Sequence, residues 1–331
     1  ILDEAQRIKN WKTRLAKSVK SLSSPYAIVL TGTPLENRLE ELHSILGFID
    51  QHHLGPLFRF LDRHQVRDDD GKVTGYRELQ GLNQPLETVL VRRTRKEVLP
   101  QLPSRMDKNW FVPMTPEQMD IHNEHKEIVA KLVQKWRRFH FLTEEDHQRL
   151  MMALQTMRMV CDNTYLVDKK SLKGKKIDEL QIQLREIFED PQSKVVIFSQ
   201  WLRMGELVGA MLHVNGWKFV TLHGGIPSPK RGDIIRAFKE DPACRVFLST
   251  DAGGTGLNLQ HASIVINMDL PWNPAVLEQR ISRVYRMGQE RAVRVINFIS
   301  EGTIEHGMLD VHRFKRSLFA GALDGATDEV F

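Results

Sequence analysis

Two carboxylates, Asp3 and Glu4, stand directly behind the apolar pair Ile1 and Leu2 in "ILDEAQ". At the end of an apolar strand, one such acid can hold the hydration shell of Mg²⁺ while the other orients and polarises an attacking water. The bare tetrapeptide "DEAQ" suits a surface turn as well. "VLTGTP", beginning at Val29, supplies a second strand end with Thr31 and Thr33, hydroxyls able to link a phosphate site to a neighbouring ligand. Two polar strand ends this close in sequence fit a ligand crevice at the carboxyl edge of a parallel sheet.

The densest chemistry lies in "LSTDAGGTGLNLQHASIVINMDLPWNPAVLEQRISRVYRMGQ". A strand delivers Ser249 and Thr250 into a turn with Gly253, Gly254 and Gly256, where the backbone can approach a phosphate and offer N–H donors. An ordinary βα connection uses such glycines too. Further on, Arg280, Arg283 and Arg286 recur at a spacing that predicts one face of a helix. That row suits a solvated surface, a nucleic-acid patch, or guanidinium groups presented across a domain cleft to a transferring phosphoryl group. Arg92, Arg93, Arg95 and Lys96 form the densest basic cluster. GxxxxGK[ST] does not occur; Gly174, Lys175 and Lys176 come nearest but lack the preceding Gly and the hydroxyl.

The elements that must position these residues follow from the apolar pattern. At 331 residues the chain has room for two domains. Its 41% hydrophobic and 27% charged residues place it among globular chains rather than disordered or membrane ones. A net charge of +5 permits an anionic partner without demanding one. Cys161 and Cys244 are too few for a disulfide framework or zinc site, which suggests a reducing compartment. The 13 histidines show no ligand spacing, so no metal is assigned to them. The chain opens without Met and inside a motif, and an upstream segment is expected.

From Lys194 onward, "VVIFS", "FVTLHG", "RVFLST", "SIVINMD" and "RVINFIS" are too continuously apolar for half-exposed strands and predict a parallel sheet covered on both faces. Between them, Met204, Leu207, Val208, Met211 and Leu212 mark one helical face, with Gly216 as its stop. The first hundred residues offer the strand "YAIVLTGTP", an amphipathic helix from about Asn37 and the polar stretch "DDDGKVTGY". Thr115 to Asp162 reads as helical, opened by Thr115, Pro116 and Gln118 as a capping box. The Lys-rich "DKKSLKGKK" reads as a hinge, either a solvated connector or a DNA contact. Trp201 and Trp272 suit packing anchors better than base-stacking platforms. "WRRFHF" suits a charged helix face as well as a DNA-facing patch.

Taken in order, "DEAQ", "LTGTPLEN", "LVRRTRKEVLPQLP", "VVIFSQW", "LHGG", "STDAGGTGLNL", "DLPWNP" and "RISRVYRMGQ" resemble the Swi/Snf-type ATPases, the chromatin-remodeller branch of superfamily 2 helicase-like proteins. The resemblance runs from Ile1 to about Arg316. The closing Arg283, Arg286, Gly288 and Gln289 differ from the HRxGRxxR of DEAD-box RNA helicases. It implies an α/β fold of RecA-like parallel sheets with helices on both faces, one lobe complete and one partial, with a helical insertion. The expected divisions are 1–112 for the later part of the first lobe, with a short helical protrusion at about 50–90; 113–175 for a helical protrusion and basic hinge; and 176–331 for the second lobe.

The same resemblance implies roles. Asp3 would coordinate Mg²⁺ through water, with Glu4 beside it at the metal and as general base; Gln6 stands where many members have His. Thr31, Gly32 and Thr33 would couple nucleotide state to DNA. Arg283 and Arg286 would reach the γ-phosphate of ATP, Gln279 would open their motif, and Gly254 and Gly256 would lie beside the nucleotide. Thr33, Arg92, Arg93, Ser199, Gln200, Trp201, His223, Gly224, Thr250 and Trp272 would contact duplex DNA or support that surface. The implied activity is ATP-driven movement along duplex DNA by a monomer, without sequence preference, displacing or remodelling bound protein. It belongs to the cytoplasm, with the nucleoid or nucleus as its setting, and involves no membrane. The phosphate-cradling loop precedes Ile1 in this family, so the chain alone is expected to be inactive towards ATP. A catalytically silent DNA- or partner-binding module is the alternative, and an RNA helicase a weaker one.

Overall fold

The apolar start of the chain pairs with the second apolar run. Leu2 N donates to Ile28 O at 2.7 Å and Leu30 N to Leu2 O at 2.8 Å, forming a parallel bridge between Leu2 and Val29. This is one bridge rather than the strand expected over "YAIVLTGTP". Tyr26, Ile28 and Leu30 stay exposed, because among the described residues no further strand lies alongside to cover them. The structure, a computed structural model, describes residues 1–32, 34–35, 38–69, 71, 73–93, 97, 101–251 and 257–324.

These residues fall into two compact units: Ile1–Val98 with Asn273–Ala275 and Asp310–Phe331, and Leu99–Trp272 with Val276–Leu309. In the first, a 3₁₀ turn (Ala5–Ile8) leads to α1 (Arg14–Lys20), whose Thr13 side chain accepts from Ala16 N as an N-cap. The helices α2 (Leu39–Ile49) and α3 (Leu57–His64), the antiparallel hairpin of β1 (Gln65–Arg67) and β2 (Val73–Tyr76), and α4 (Asn83–Glu87) follow. Helix α2 sorts its apolar residues onto two faces. Leu39, Leu42 and Leu46 join a core with Phe60 and Tyr76, while Ile45 packs on Ala5, Ile8 and Ala16. Each fully buried side chain of this size contributes about 2 kcal/mol. The second cluster fixes the segment that carries Asp3 and Glu4.

The second unit is built on a six-stranded parallel sheet. Its strands are β3 (Arg105–Val112), β4 (Val195–Phe198), β5 (Lys218–Leu222), β6 (Cys244–Ser249), β7 (Ile264–Asn267) and β8 (Val293–Ser300), in the order β3-β8-β7-β4-β6-β5. All five runs read as strands are strands. Alternate residues feed opposite cores, with Val195 and Ile197 on one face and Val196 and Phe198 on the other. That is why these runs are apolar without a break. Strand β3, "RMDKNWFV", escapes the pattern because it lies at the sheet edge and keeps most side chains exposed. It belongs to the second unit by its parallel pairing with β8, from Arg105 opposite Val293 to Val112 opposite Ser300.

The helices from Val112 onward are α5 (Pro116–Phe139), α6 (Glu144–Asp162), α7 (Tyr165–Asp168), α8 (Lys176–Ile187), α9 (Leu202–Val214), α10 (Ser228–Glu240), α11 (Pro274–Ile281) and α12 (Ile304–Asp324), the last of which passes into the first unit from Asp310 and adds Leu318 and Ala322 to its core. The capping box opening α5 is present: Gln118 N donates to Thr115 Oγ1 at 3.3 Å and Thr115 N to Gln118 Oε1 at 3.0 Å. Helix α9 buries Met204, Val208, Met211 and Leu212, and Gly216 takes φ +68° beyond its end. The Lys-rich hinge ends differently from a solvated connector. Lys176 is 1% exposed, its ammonium bound by Asp162, Glu305 and the Met268 carbonyl.

Candidate functional site

In the first unit, the backbone bond from Ala5 N to Leu30 O at 3.2 Å extends the Leu2 pairing past the two acids. Glu4 adopts φ +52°, a left-handed conformation that costs a residue with a Cβ about 1 kcal/mol or more. Asp3 Oδ1 accepts from Glu4 N at 2.8 Å. The Gln6 side-chain amide stands between two strand ends: its nitrogen donates to Glu4 Oε2, and its oxygen accepts from Thr31 Oγ1 at 2.8 Å. Asp3 and Glu4 are exposed, and among the described residues no third Asp, Glu, His or Cys joins them in a metal cluster. Such a pair fits Mg²⁺, which binds through one or two carboxylates together with water and substrate phosphates.

Arg92 and Arg93 make other contacts. Arg92 is half-buried, with its guanidinium over the Phe319 ring at 4.9 Å, and burial holds its pKa below the ordinary value. Arg93 is exposed and donates to Arg92 O at 2.9 Å. Thr33, Arg95 and Lys96 lie outside the described residues.

In the second unit, β4 sits between β6 and β7, and the chain leaves it to one side before returning to the other. The carboxyl edge at such a switch point is where open α/β sheets hold ligands. Ser199 follows β4, Thr250 and Asp251 follow β6, and Asp269 lies just beyond β7. Ser199 Oγ donates to Asp269 Oδ2, and Gln200 N donates to the same oxygen at 3.0 Å. Arg280, 3% exposed, holds Asp251 with two bonds of 2.6 and 2.9 Å and Asp269 Oδ1 at 3.1 Å. Burial works against its charge, but the Asp269 and Asp251 carboxylates outweigh it and raise its pKa. One guanidinium thus joins the loops after β6 and β7, and Asp269 passes the link to the loop after β4.

The arginine row is not one helical face. Helix α11 ends at Ile281; Arg280 turns inward, whereas Arg283 and Arg286 follow in turns and are half-buried. Arg283 O accepts from Leu259 N at 2.8 Å instead of continuing the helix ladder, and Gly288 takes φ +88°. The Arg286 guanidinium donates to Asn258 Oδ1 and to Leu257 O. Gln279 is half-buried on α11. Gln289 is buried and staples three carbonyls, donating to Gln260 O, Ala262 O and Val284 O at 3.1, 2.8 and 3.2 Å.

Ser199, Trp201, His223 and Thr250 line a cavity of about 510 Å³ beside α9. The His223 ring accepts from Gly225 N at 3.2 Å, and Gly224 is exposed. Trp201 packs on the sheet core, and Trp272 is 38% exposed. Gly254 and Gly256 lie outside the described residues. Sequence reasoning missed the roles of Asp251 and Asp269, although both stand inside motifs already singled out. It missed Arg158 of α6 entirely, because a polar helix position looks solvated until the sheet it meets is known.

A parallel sheet with helices on both faces and polar loops gathered at its switch-point edge fits a RecA-like lobe. Residues 1–192 match the SNF2-related domain and residues 173–288 the helicase conserved C-terminal domain. The chain belongs to the SNF2-related family. The Sulfolobus solfataricus SWI2/SNF2 ATPase core, solved in complex with dsDNA, is 30% identical with a TM-score of 0.56, over 98% of this chain and 68% of that one. YwqA of Bacillus subtilis, a candidate ATP-dependent helicase/translocase by its name, is 34% identical over 92% of this chain and 33% of its own length. Human SWI/SNF-related matrix-associated actin-dependent regulator of chromatin subfamily A member 1 is 30% identical over 96% of this chain and 31% of its own length. The chain therefore spans about a third of the length of these two curated relatives. Among the described residues, no helix is long and apolar enough to cross a membrane.

Proposed function

We propose that this chain is part of an ATP-dependent motor that moves along double-stranded DNA and displaces or remodels protein bound there. The observation that carries the reading is the relay Glu4–Gln6–Thr31, which ties a candidate general base to a second strand end. In this reading Glu4 takes the proton of the attacking water, and Gln6 holds its carboxylate in one orientation. Asp3 would hold Mg²⁺ through water; the ion, when bound with ATP, neutralises charge on the phosphates. Arg283 and Arg286 stabilise charge on the transferring phosphoryl group, and the buried Gln289 and Arg280 hold the turn that presents them. In the second unit the loops after β4, β5 and β6, with Trp272, contact the DNA backbone, and in the first unit Arg93 is a separate candidate for such a contact. Binding is independent of sequence and weakens with salt. The likeness to a core solved with dsDNA supports this partner.

The test joins a phosphate-loop half from an SNF2-type relative to the chain and measures DNA-stimulated phosphate release. Glu4→Gln and Arg286→Ala are each expected to lower turnover at least a hundredfold; near-normal turnover in either sinks that residue's role. A second reading has its own observation: the motif GxxxxGK[ST] does not occur in the 331-residue sequence. In that reading the chain by itself binds DNA or a partner and leaves ATP intact. Sustained Mg²⁺-dependent phosphate release by this chain alone would exclude it.

A further inference from the structure

Four consecutive residues at the carboxyl end of β7, Asn267 to Leu270, are held by buried cations from three helices. Arg280 of α11 reaches Asn267 Oδ1 at 3.3 Å and Asp269 O at 2.9 Å; Lys176 of α8 reaches Met268 O at 2.7 Å; Arg158 of α6 reaches Leu270 O at 2.7 Å. Carbonyls leaving a sheet ladder in the interior need donors, and these side chains supply them. Two of the cations are also neutralised locally, Arg280 by Asp251 and Asp269, and Lys176 by Asp162 and Glu305.

Arg158 is different. It is 5% exposed, and among the described residues it forms no ion pair. Its guanidinium instead lies near the faces of Trp201 and Trp272, 5.6 and 5.4 Å from their ring centroids, and donates to Gln200 Oε1 at 2.8 Å. A planar, delocalised cation can lie against indole faces while bonding in its own plane; a compact ammonium cannot do both. Gln200, Trp201 and Trp272 come from two separate loops at the sheet edge, and Arg158 meets all three.

We propose that Arg158 is a positioning residue for duplex-DNA binding, a clamp by which helix α6 holds Gln200, Trp201 and Trp272 in one arrangement. The DNA half of this inference rests on the function proposed above; the clamp itself does not. Being buried, Arg158 touches no phosphate, and this separates it from an ordinary basic DNA contact. A phosphate-contacting cation adds about one unit to the slope of log K against log salt, whereas a positioning residue changes affinity at constant slope.

The test uses the 331-residue chain, Arg158→Lys as the main variant and Arg158→Ala as the harsher one. Far-UV circular dichroism checks that each folds. Tryptophan emission and acrylamide quenching read the indoles, and duplex-DNA affinity is measured across a salt series. In folded Arg158→Lys we expect red-shifted emission, stronger quenching and about tenfold weaker DNA binding with the salt slope unchanged. Unaltered emission and quenching in the folded Lys variant would overturn the clamp. A slope reduced by about one would also overturn it, making Arg158 a phosphate contact. If the unaltered chain binds no duplex DNA, the DNA-facing reading of these loops fails, while the fluorescence still decides the clamp.

Discussion

Thr31 Oγ1 donates a 2.8 Å hydrogen bond to the side-chain oxygen of Gln6, and the nitrogen of the same amide donates to Glu4. A hydrogen bond to a charged group contributes about 1.5–3 kcal/mol. Gln6→Ala removes both links, so DNA-stimulated phosphate release by the chain joined to a relative's phosphate-loop half should fall about tenfold or more. Thr31→Val breaks one link and should cost less. A Gln6→Ala rate within about twofold of the unaltered protein would remove the relay from the mechanism.

Lys176 closes a buried site. Its ammonium bonds to Asp162 Oδ1 at 2.8 Å and to both oxygens of Glu305 at 3.0 and 2.8 Å. Lys176→Ala would leave both carboxylates sealed without their cation, a change that costs about 3–5 kcal/mol. Urea unfolding should show that loss, whereas Lys169→Ala, in the exposed part of the same basic run, should stay within about 0.5 kcal/mol. Equal effects at the two positions would contradict the network.

Two glycines should respond oppositely to the same substitution. A Cβ on Gly174 would lie 2.7 Å from Asp162 O and 2.9 Å from Asn163 Nδ2, so backbone must move; Gly174→Ala should destabilise by about 1–3 kcal/mol. Gly205 lies within α9 with nothing within 4 Å of its would-be Cβ. Gly205→Ala should stabilise by about 0.5–1 kcal/mol through helix propensity. Thermal unfolding that ranks the two variants the other way would refute this assignment.

Tyr76 gives a pH test. Burial, reinforced by the charge of Glu40, pushes its phenol up to about 12. The folded state holds this proton more tightly than the unfolded one, so its contribution is fully present below about pH 10 and is lost as pH rises towards 12. Tyr76→Phe should remove a phenolate transition near pH 12 from the 295 nm absorbance titration and flatten the loss of stability in that window. A missing transition centred near pH 10 would show that burial does not hold the proton.

Much of the second unit was legible beforehand. Continuous apolar runs required strands covered on both faces, and Val195 to Phe198 shows the result, with alternate residues entering opposite cores. The Thr115–Gln118 box was legible because it spans one turn. Strand β3 was not, because an edge position leaves its polar side chains in water and erases the alternating signal. The arginine row misled for a related reason: spacing implied a helix, but Leu259 N takes the Arg283 carbonyl and ends that register.

By itself the sequence determined the α/β class, the SNF2-type order of motifs and the strand ends at which the candidate chemistry gathers. These are local, carried by side-chain period and by residue types a few positions apart. Only the tertiary structure decided which charges are neutralised and which side chains are held. Lys176 meets Glu305 across 129 positions, and Arg158 meets Gln200 across 42. No periodicity encodes such pairs, because a buried cation is placed by the carbonyls and carboxylates that packed elements bring to it.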